Sequence, residues 1–247
     1  MNSSLFHTLT ISRQDILSRL LDLDVVSNNL ANMNTAGFKA SRSNFQELLY
    51  QQTLEGVTLA STQGMMFQGA LKNSANPLDW AIQGDGFFQV RLPDGSTGYT
   101  RDGQFLLDAS RQLVTASGYR LIWNGQIPDG TTDIYITPDG SVQATLQNGQ
   151  RVIAGQLPLA RFTNPGGLIN HGNNVWLVSD ASGTAQVGMP GSGVFGAVAA
   201  RAVEQSNVDL STEMTRLMSL QRAFQMSVRT FQQTDMMIAQ ALNLRKG

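Results

Sequence analysis

The chain has 247 residues, 41% of them hydrophobic and 14% charged, and its 17 basic side chains nearly cancel its 18 acidic ones. That composition supports a buried core in one or two domains and supplies no global field to draw nucleic acid or an anionic membrane. With no cysteine and only His7 and His171 as histidines, it excludes disulfides, cysteine–zinc sites and thiol catalysis and leaves little material for a histidine-rich metal centre.

The first stretch, MNSSLFHTLTISRQDILSRLL, has no basic n-region, and Arg13, Asp15 and Arg19 interrupt any apolar run. It does not read as a cleaved secretory signal. Leu9, Ile16, Leu23 and Leu30 recur at heptad spacing, with Leu5, Leu20 and Val26 between them. The spacing predicts an amphipathic helix over 1–30 with a coiled-coil-like seam.

Residues 31–76 read as a linker and turn segment. Its approach, SNNLANMNTAGFKASR (27–42), is crowded with Asn28, Asn29, Asn32 and Asn34. Asparagine amides compete for nearby backbone groups, so they end a helix, and Gly37 permits a conformation closed to other residues. Phe38 is expected to anchor the turn in an apolar pocket and Lys39 to stay at a wet edge.

From 77 to 205 the period changes to two. LDWAIQ places Leu78, Trp80 and Ile82 on one face, and FFQVRL does the same with Phe88, Val90 and Leu92. QLVTA, DIYIT, SVQATL, RVIAGQLPL and NNVWLVS continue the pattern, and Pro-Asp-Gly turns at Pro93, Pro128 and Pro138 predict hairpins between them. This is a central, mainly antiparallel β domain. The charge-free run 181–200 is too rich in Gly, Ser and Pro for a membrane span, so no membrane insertion is expected.

The last segment, 206–247, carries a sustained seam: Val203, Asn207, Leu210, Met214, Leu217, Gln221, Phe224, Val228, Phe231, Asp235, Ile238 and Leu242 step by fours and threes. Ser206 and Asp209 are candidate caps, which puts the helix start near Asp209. Gln221 and Asp235 are polar seam positions that fix register, or else exposed edges. The expected fold class is therefore α+β: long terminal α-helices forming a coiled-coil-like bundle around their apolar stripes, with the β domain between them in sequence.

Conventional chemistry is scarce. QGDGFF (83–88) lacks the spacing of a phosphate loop and reads as a tight turn. Asp79 and Asp85 flank Trp80, the minimum kit for glycoside hydrolysis, yet such residues also serve as turn caps and core anchors. No calcium-loop pattern occurs, Lys39, Arg42, Arg245 and Lys246 are scattered cations, and the methionines suit adaptable packing better than a cofactor box. No enzyme activity and no cofactor is expected.

The motifs carry a resemblance. NNLANMNTAGFK (28–39) resembles the amino-terminal signature of bacterial flagellar rod and hook proteins. SNVDLSTEMTRLMSLQRAFQMSVRTFQQTDMMIAQALNL (206–244) resembles the family's carboxy-terminal signature, and NPLDWAIQGDGFFQV and GYTRDGQFLLDASRQLVTASGYRL resemble the β-domain motifs of its rod proteins. The resemblance implies a structural subunit of the basal-body rod, a helically assembled drive shaft with its terminal helices in an inner tube. It implies partners in itself, in other axial proteins of rod and hook, and in a type III export apparatus that needs no cleaved signal, with a final location spanning the cell envelope. The linker between ELLYQQ and QGALKNSANPLD is shorter than in the distal-rod members, so proximal and distal positions stay open, and Phe224 stands where the family often has Tyr.

On that reading the self-assembly residues are Leu9, Ile16, Leu23, Asn28, Asn29, Leu30, Asn32, Thr35, Gly37, Phe38 and Lys39 at one end. At the other they are Asn207, Asp209, Leu210, Met214, Leu217, Gln221, Arg222, Phe224, Val228, Phe231, Asp235, Ile238 and Leu242. The asparagine amides are expected to satisfy backbone groups of the chain and of neighbouring subunits. Two alternatives remain: an extracytoplasmic glycan-binding or glycan-hydrolysing β domain, and a coiled-coil adaptor that forms a closed dimer.

Overall fold

A computed structural model describes the backbone of residues 2–50 and 53–244, and side chains within them outside 2–9, 45–50, 53–61 and 241–244. The described residues fold as two compact units, one drawn from 1–31, 41–63 and 208–247 and the other from 32–40 and 64–207.

The first unit contains helix α1 (Asn2–Ala31) and the strands β1 (Ser41–Tyr50) and β2 (Thr53–Gly64), which pair with each other. It also contains helix α2 (Leu210–Leu244). Asp209 caps α2: its Oδ1 accepts from the Thr212 amide at 2.8 Å and its carbonyl from the Glu213 amide at 3.0 Å. That satisfies donors which a helix start leaves orphaned and places an acidic group at the positive end of the dipole.

The expected coiled-coil-like bundle is not what these helices form. Among the described residues there are two α-helices, packed on each other and, through α1, on β1. Among the described side chains of α1 the buried ones are Ser18, Asp22, Val26 and Asn29, three of them polar. Ile16, Leu23 and Leu30 are only half-buried, and Leu210 and Met214 are exposed. Two helices and a hairpin cannot enclose a full apolar seam, and polar pairs with distant partners take the centre of the contact.

The second unit is the β body, and its strands are short. In chain order they are β3 (Leu71–Asn73), β4 (Trp80–Gln83), β5 (Phe88–Arg91), β6 (Thr97–Thr100), β7 (Phe105–Leu107), β8 (Leu113–Thr115) and β9 (Arg120–Leu121). There follow β10 (Asn124–Gly125), β11 (Thr131–Ile136), β12 (Ser141–Leu146), β13 (Arg151–Gln156) and β14 (Leu159–Arg161). The last are β15 (Ile169–Gly172), β16 (Val175–Leu177), β17 (Gln186–Gly188), β18 (Ala197–Ala200) and β19 (Ala202–Glu204). Seven make one sheet in the order β15-β16-β6-β5-β9-β8-β7, four another in the order β10-β13-β12-β11, and the remainder pair as β14-β17, β18-β4 and β19-β3.

The alternation read from the sequence sets the core. Trp80, Ile82, Phe88, Val90 and Leu92 are buried with Phe105, Leu113, Ile136 and Val142, and Phe105 makes aromatic contacts with Trp80 at 5.5 Å and with Phe88 at 5.2 Å. Each such side chain contributes about 1.5 to 3 kcal/mol on burial. Two Pro-Asp-Gly turns close hairpins, β5 to β6 and β11 to β12, with Gly95 and Gly140 at φ +85° and +82°. The turn at Pro128 does not: it joins β10 to β11, strands at opposite edges of their sheet.

Candidate assembly surfaces

Within the β body, the segment that follows α1 is locked by a buried ion cluster. Two tight turns, Thr35 N–H to Asn32 O at 3.1 Å and Phe38 N–H to Thr35 O at 3.3 Å, bring Gly37 to φ +63°. A Cβ there would lie 2.5 Å from the backbone of Arg101 and Asp102, so both conformation and space demand glycine. Its amide donates to the Glu204 carbonyl at 2.7 Å.

Lys39 is not at a wet edge. Its ammonium is buried and donates to Glu204 Oε1 at 2.5 Å and to the Phe67 carbonyl at 2.8 Å. Arg101 meets the other carboxylate oxygen at 3.2 Å, donates to the Gly84 carbonyl at 2.8 Å and lies 5.2 Å from the centre of the Phe87 ring. Glu204 also accepts from the Gly69 amide at 2.9 Å. Two cations thus share one carboxylate, with carbonyls and a ring face dispersing the excess charge. Burial pushes the Lys39 ammonium below its ordinary pKa, and Glu204 opposes that shift; the Arg101 guanidinium is lowered in the same way.

Asn207 completes this corner. Its Oδ1 accepts from the Ala40 amide at 2.8 Å, and its Nδ2 donates to the carbonyls of Met65 at 2.7 Å and Phe67 at 3.0 Å. One amide therefore ties together three backbone groups from separate parts of the body.

In the helical unit, polar side chains recur along α1 at heptad spacing. Asp15 accepts from Ser227 at 2.5 Å and pairs with Arg19 at 2.9 Å. Asp22 accepts from Ser43 at 2.5 Å and from Arg216 at 2.7 Å. Asn29, fully buried, exchanges two hydrogen bonds with the Ser41 backbone, at 2.9 and 2.8 Å, and donates to Glu213 at 3.4 Å. This ladder fixes the register of α1 against α2 and the hairpin.

The opposite faces of both helices are wet and partly apolar. Leu17, Leu20 and Leu21 of α1 are 42%, 46% and 44% exposed, and Met218, Met226, Met236 and Met237 of α2 are 48%, 69%, 58% and 59% exposed. The packing of α1 on α2 leaves these side chains uncovered among the described residues.

The structure divides the residues expected to act in assembly. Asn29, Gly37, Lys39, Asn207 and Asp209 hold the chain's own backbone and side chains. Leu217, Phe224, Val228, Phe231 and Ile238 are half-buried on α2, as Ile16, Leu23 and Leu30 are on α1, while Leu210, Met214, Gln221, Arg222 and Asp235 are exposed. Asn32 and Phe38 are half-buried, and Asn28 and Thr35 are exposed. The side chains of Leu9 and Leu242, and the residues Arg245 and Lys246, lie outside the described ones.

Sequence reading missed Arg101 and Glu204, and with them Asp22 and Arg216. The signal it had was a charged residue inside each of the motifs GYTRDG and AVEQSNVD; the partners were too far apart in the chain for spacing to reveal. The glycan reading loses its platform, because Trp80 is fully buried and Asp79 is bound by Ser74 at 2.6 Å and Asn76 at 2.9 Å as a turn anchor. Among the described residues no group of His, Cys, Asp or Glu is arranged to hold a metal ion, and no helix is long and apolar enough to cross a membrane.

Three family models match the chain. "Flagella basal body rod protein" covers residues 19–39, "Flagellar hook protein FlgE/F/G D1 domain" covers 81–144, and "Flagellar basal body rod FlgEFG protein C-terminal" covers 199–244. The chain is 38% identical to the flagellar basal-body rod protein FlgG of Caulobacter vibrioides, over 96% of this chain and 98% of that protein. It is 34% identical to FlgG of Bacillus subtilis, over 91% and 93%, and 30% identical to the rod protein FlgF of Mesorhizobium japonicum, over 95% and 94%.

Proposed function

Because the chain belongs to the flagellar basal-body rod protein family and is a structural subunit of that rod, not an enzyme, we propose that copies of it stack helically through the outward faces of their terminal helices. The observation that carries this reading is the split character of α1 and α2. Each has one face satisfied by a polar ladder within the chain and another that leaves leucines or methionines in water. Burying those side chains against neighbours contributes about 1.5 to 3 kcal/mol for each one fully covered, offset by the entropy of ordering. A head-to-tail contact whose rotation does not close produces a filament, which suits a shaft.

The partners in this reading are further copies, the other axial proteins of rod and hook, and the export apparatus that delivers the chain. The expected assembly residues act in two ways. Asn29, Gly37, Lys39 and Asn207 keep each copy in its assembling shape, whereas Arg222 and the exposed leucines and methionines meet the neighbour.

The test uses the full chain with Leu17→Glu, Leu21→Glu and Met226→Glu, in cells lacking their own copy. The variant keeps the thermal transition of its β body and is absent from purified basal bodies. Incorporation at the level of the parent chain would overturn the reading.

A further inference from the structure

The outward helix faces differ in charge: the α1 face carries Arg13 and Asp24, one of each sign, and the α2 stripe carries Arg222 and Arg229 with no acidic residue. On α1, Arg13, Leu17, Leu20, Leu21 and Asp24 follow helical spacing and are all exposed, on the side away from Asp15, Asp22 and Asn29. Asp15 and Asp22 are paired, but the Asp24 side chain makes no hydrogen bond or ion pair among the described residues. On α2, Met218, Arg222, Met226 and Arg229 line one exposed stripe, away from Glu213 and Ser227, and neither arginine has a partner among the described residues. Each unpaired charge sits among apolar side chains, so a partner that covers the apolar surface must also answer the charge.

We propose that the occupant is a second copy of this chain: the Leu17, Leu20, Leu21 and Asp24 face of one subunit packs on the Met218, Arg222, Met226 and Arg229 face of the next, and Asp24 accepts hydrogen bonds from one of the two arginines. The proposal rests on the assembly reading above and specifies its contact. The charges select the mode. An α2 face set against another α2 face brings arginines together, and α1 against α1 sets Asp24 beside Arg13 only in an antiparallel pair, which leaves the α2 arginines without an acid. Only the α1-to-α2 contact answers both charges with a neighbour of the opposite sign, and it is heterologous, so every subunit offers one face and receives the other. An anionic lipid surface would satisfy the arginines and be repelled by Asp24.

Charge reversal tests the contact in the full chain. Asp24→Arg alone, and Arg222→Asp with Arg229→Asp, each raise the concentration needed for sedimentable polymer at least tenfold, and an equimolar mixture of the two chains restores it to within about threefold of the parent. A second test uses the absence of native cysteine. Asp24→Cys combined with Arg222→Cys gives a disulfide ladder of multimers in oxidised basal bodies, whereas either cysteine alone gives no cross-link. Unchanged polymerisation of the reversed chains, no rescue on mixing, or no ladder from incorporated double-cysteine chain would overturn the proposal. If glutamates at Leu17, Leu21 and Met226 block incorporation while these charge and cross-linking results are negative, assembly through the helices stands and this pairing alone falls. If those glutamates leave incorporation intact, the wider reading falls.

Discussion

The Lys39 ammonium donates to Glu204 Oε1 at 2.5 Å across 165 residues of chain, and both side chains are fully buried. This pair joins the turn after the first helix to the last strand of the β body, and Arg101 shares the same carboxylate. Removing the negative partner strands two buried cations, a loss of about 3 to 5 kcal/mol for a broken buried pair. Glu204→Gln is therefore expected to lower the unfolding free energy of the β body by that amount. Lys39→Met, which leaves Glu204 with Arg101 and the Gly69 amide, lowers it less. Chemical denaturation followed by tryptophan fluorescence measures both.

Gly37 has no tolerated replacement. A left-handed conformation costs a side-chain-bearing residue about 1 to 3 kcal/mol, and the Cβ would also press on the Arg101–Asp102 peptide. Gly37→Ala should destabilise by more than Gly95→Ala, whose Cβ would meet nothing within 4 Å at a similarly positive φ. The difference between the two midpoints isolates the steric part.

Asn29→Leu removes the amide that answers both backbone groups of Ser41. An unmet buried donor or acceptor costs about 1 to 3 kcal/mol, so the helical unit loosens while the β body keeps its own hydrogen bonds. Hydrogen exchange should show the Ser41 amide losing protection and the strands β4 and β5 retaining theirs.

Asp102 gives the β body a pH dependence. Burial pushes its carboxyl up to about 6; the Gln104 amide, which donates to it, opposes the shift, and nearby Asp79 adds to it. In the unfolded chain the group titrates near 3.8, so between these values the folded state holds more protons. Unfolding free energy therefore falls as pH rises through this window and levels off above it. Asp102→Asn is expected to flatten that slope and to stabilise the protein at neutral pH by about 3 kcal/mol. Thermal midpoints of both chains from pH 4 to 8 check the sign.

The β body was legible because its strands alternate cleanly. Trp80 and Ile82, then Phe88 and Val90, announce their buried face by period alone, and Pro-Asp-Gly marks two real hairpins. Asp209 was legible as a cap for the same local reason. What local pattern did not carry was pairing across distance. The heptad leucines of α1 suggested an apolar seam, but Asp22 and Asn29 occupy the contact because Arg216, Ser43 and Ser41 arrive from elsewhere in the chain. Lys39 looked like a solvated cation for the same reason: its counter-charge is on the far strand. The strands β1 and β2 carry no clear alternation, and their pairing depends on context more than on intrinsic preference.

The central claim is that neighbouring copies cover the outward helix faces, and hydroxyl-radical footprinting of the methionines tests it most directly. Met218, Met226, Met236 and Met237, all exposed in the single chain, should oxidise readily in the free subunit and become protected in assembled rods. Equal oxidation of these four in both states would contradict the account.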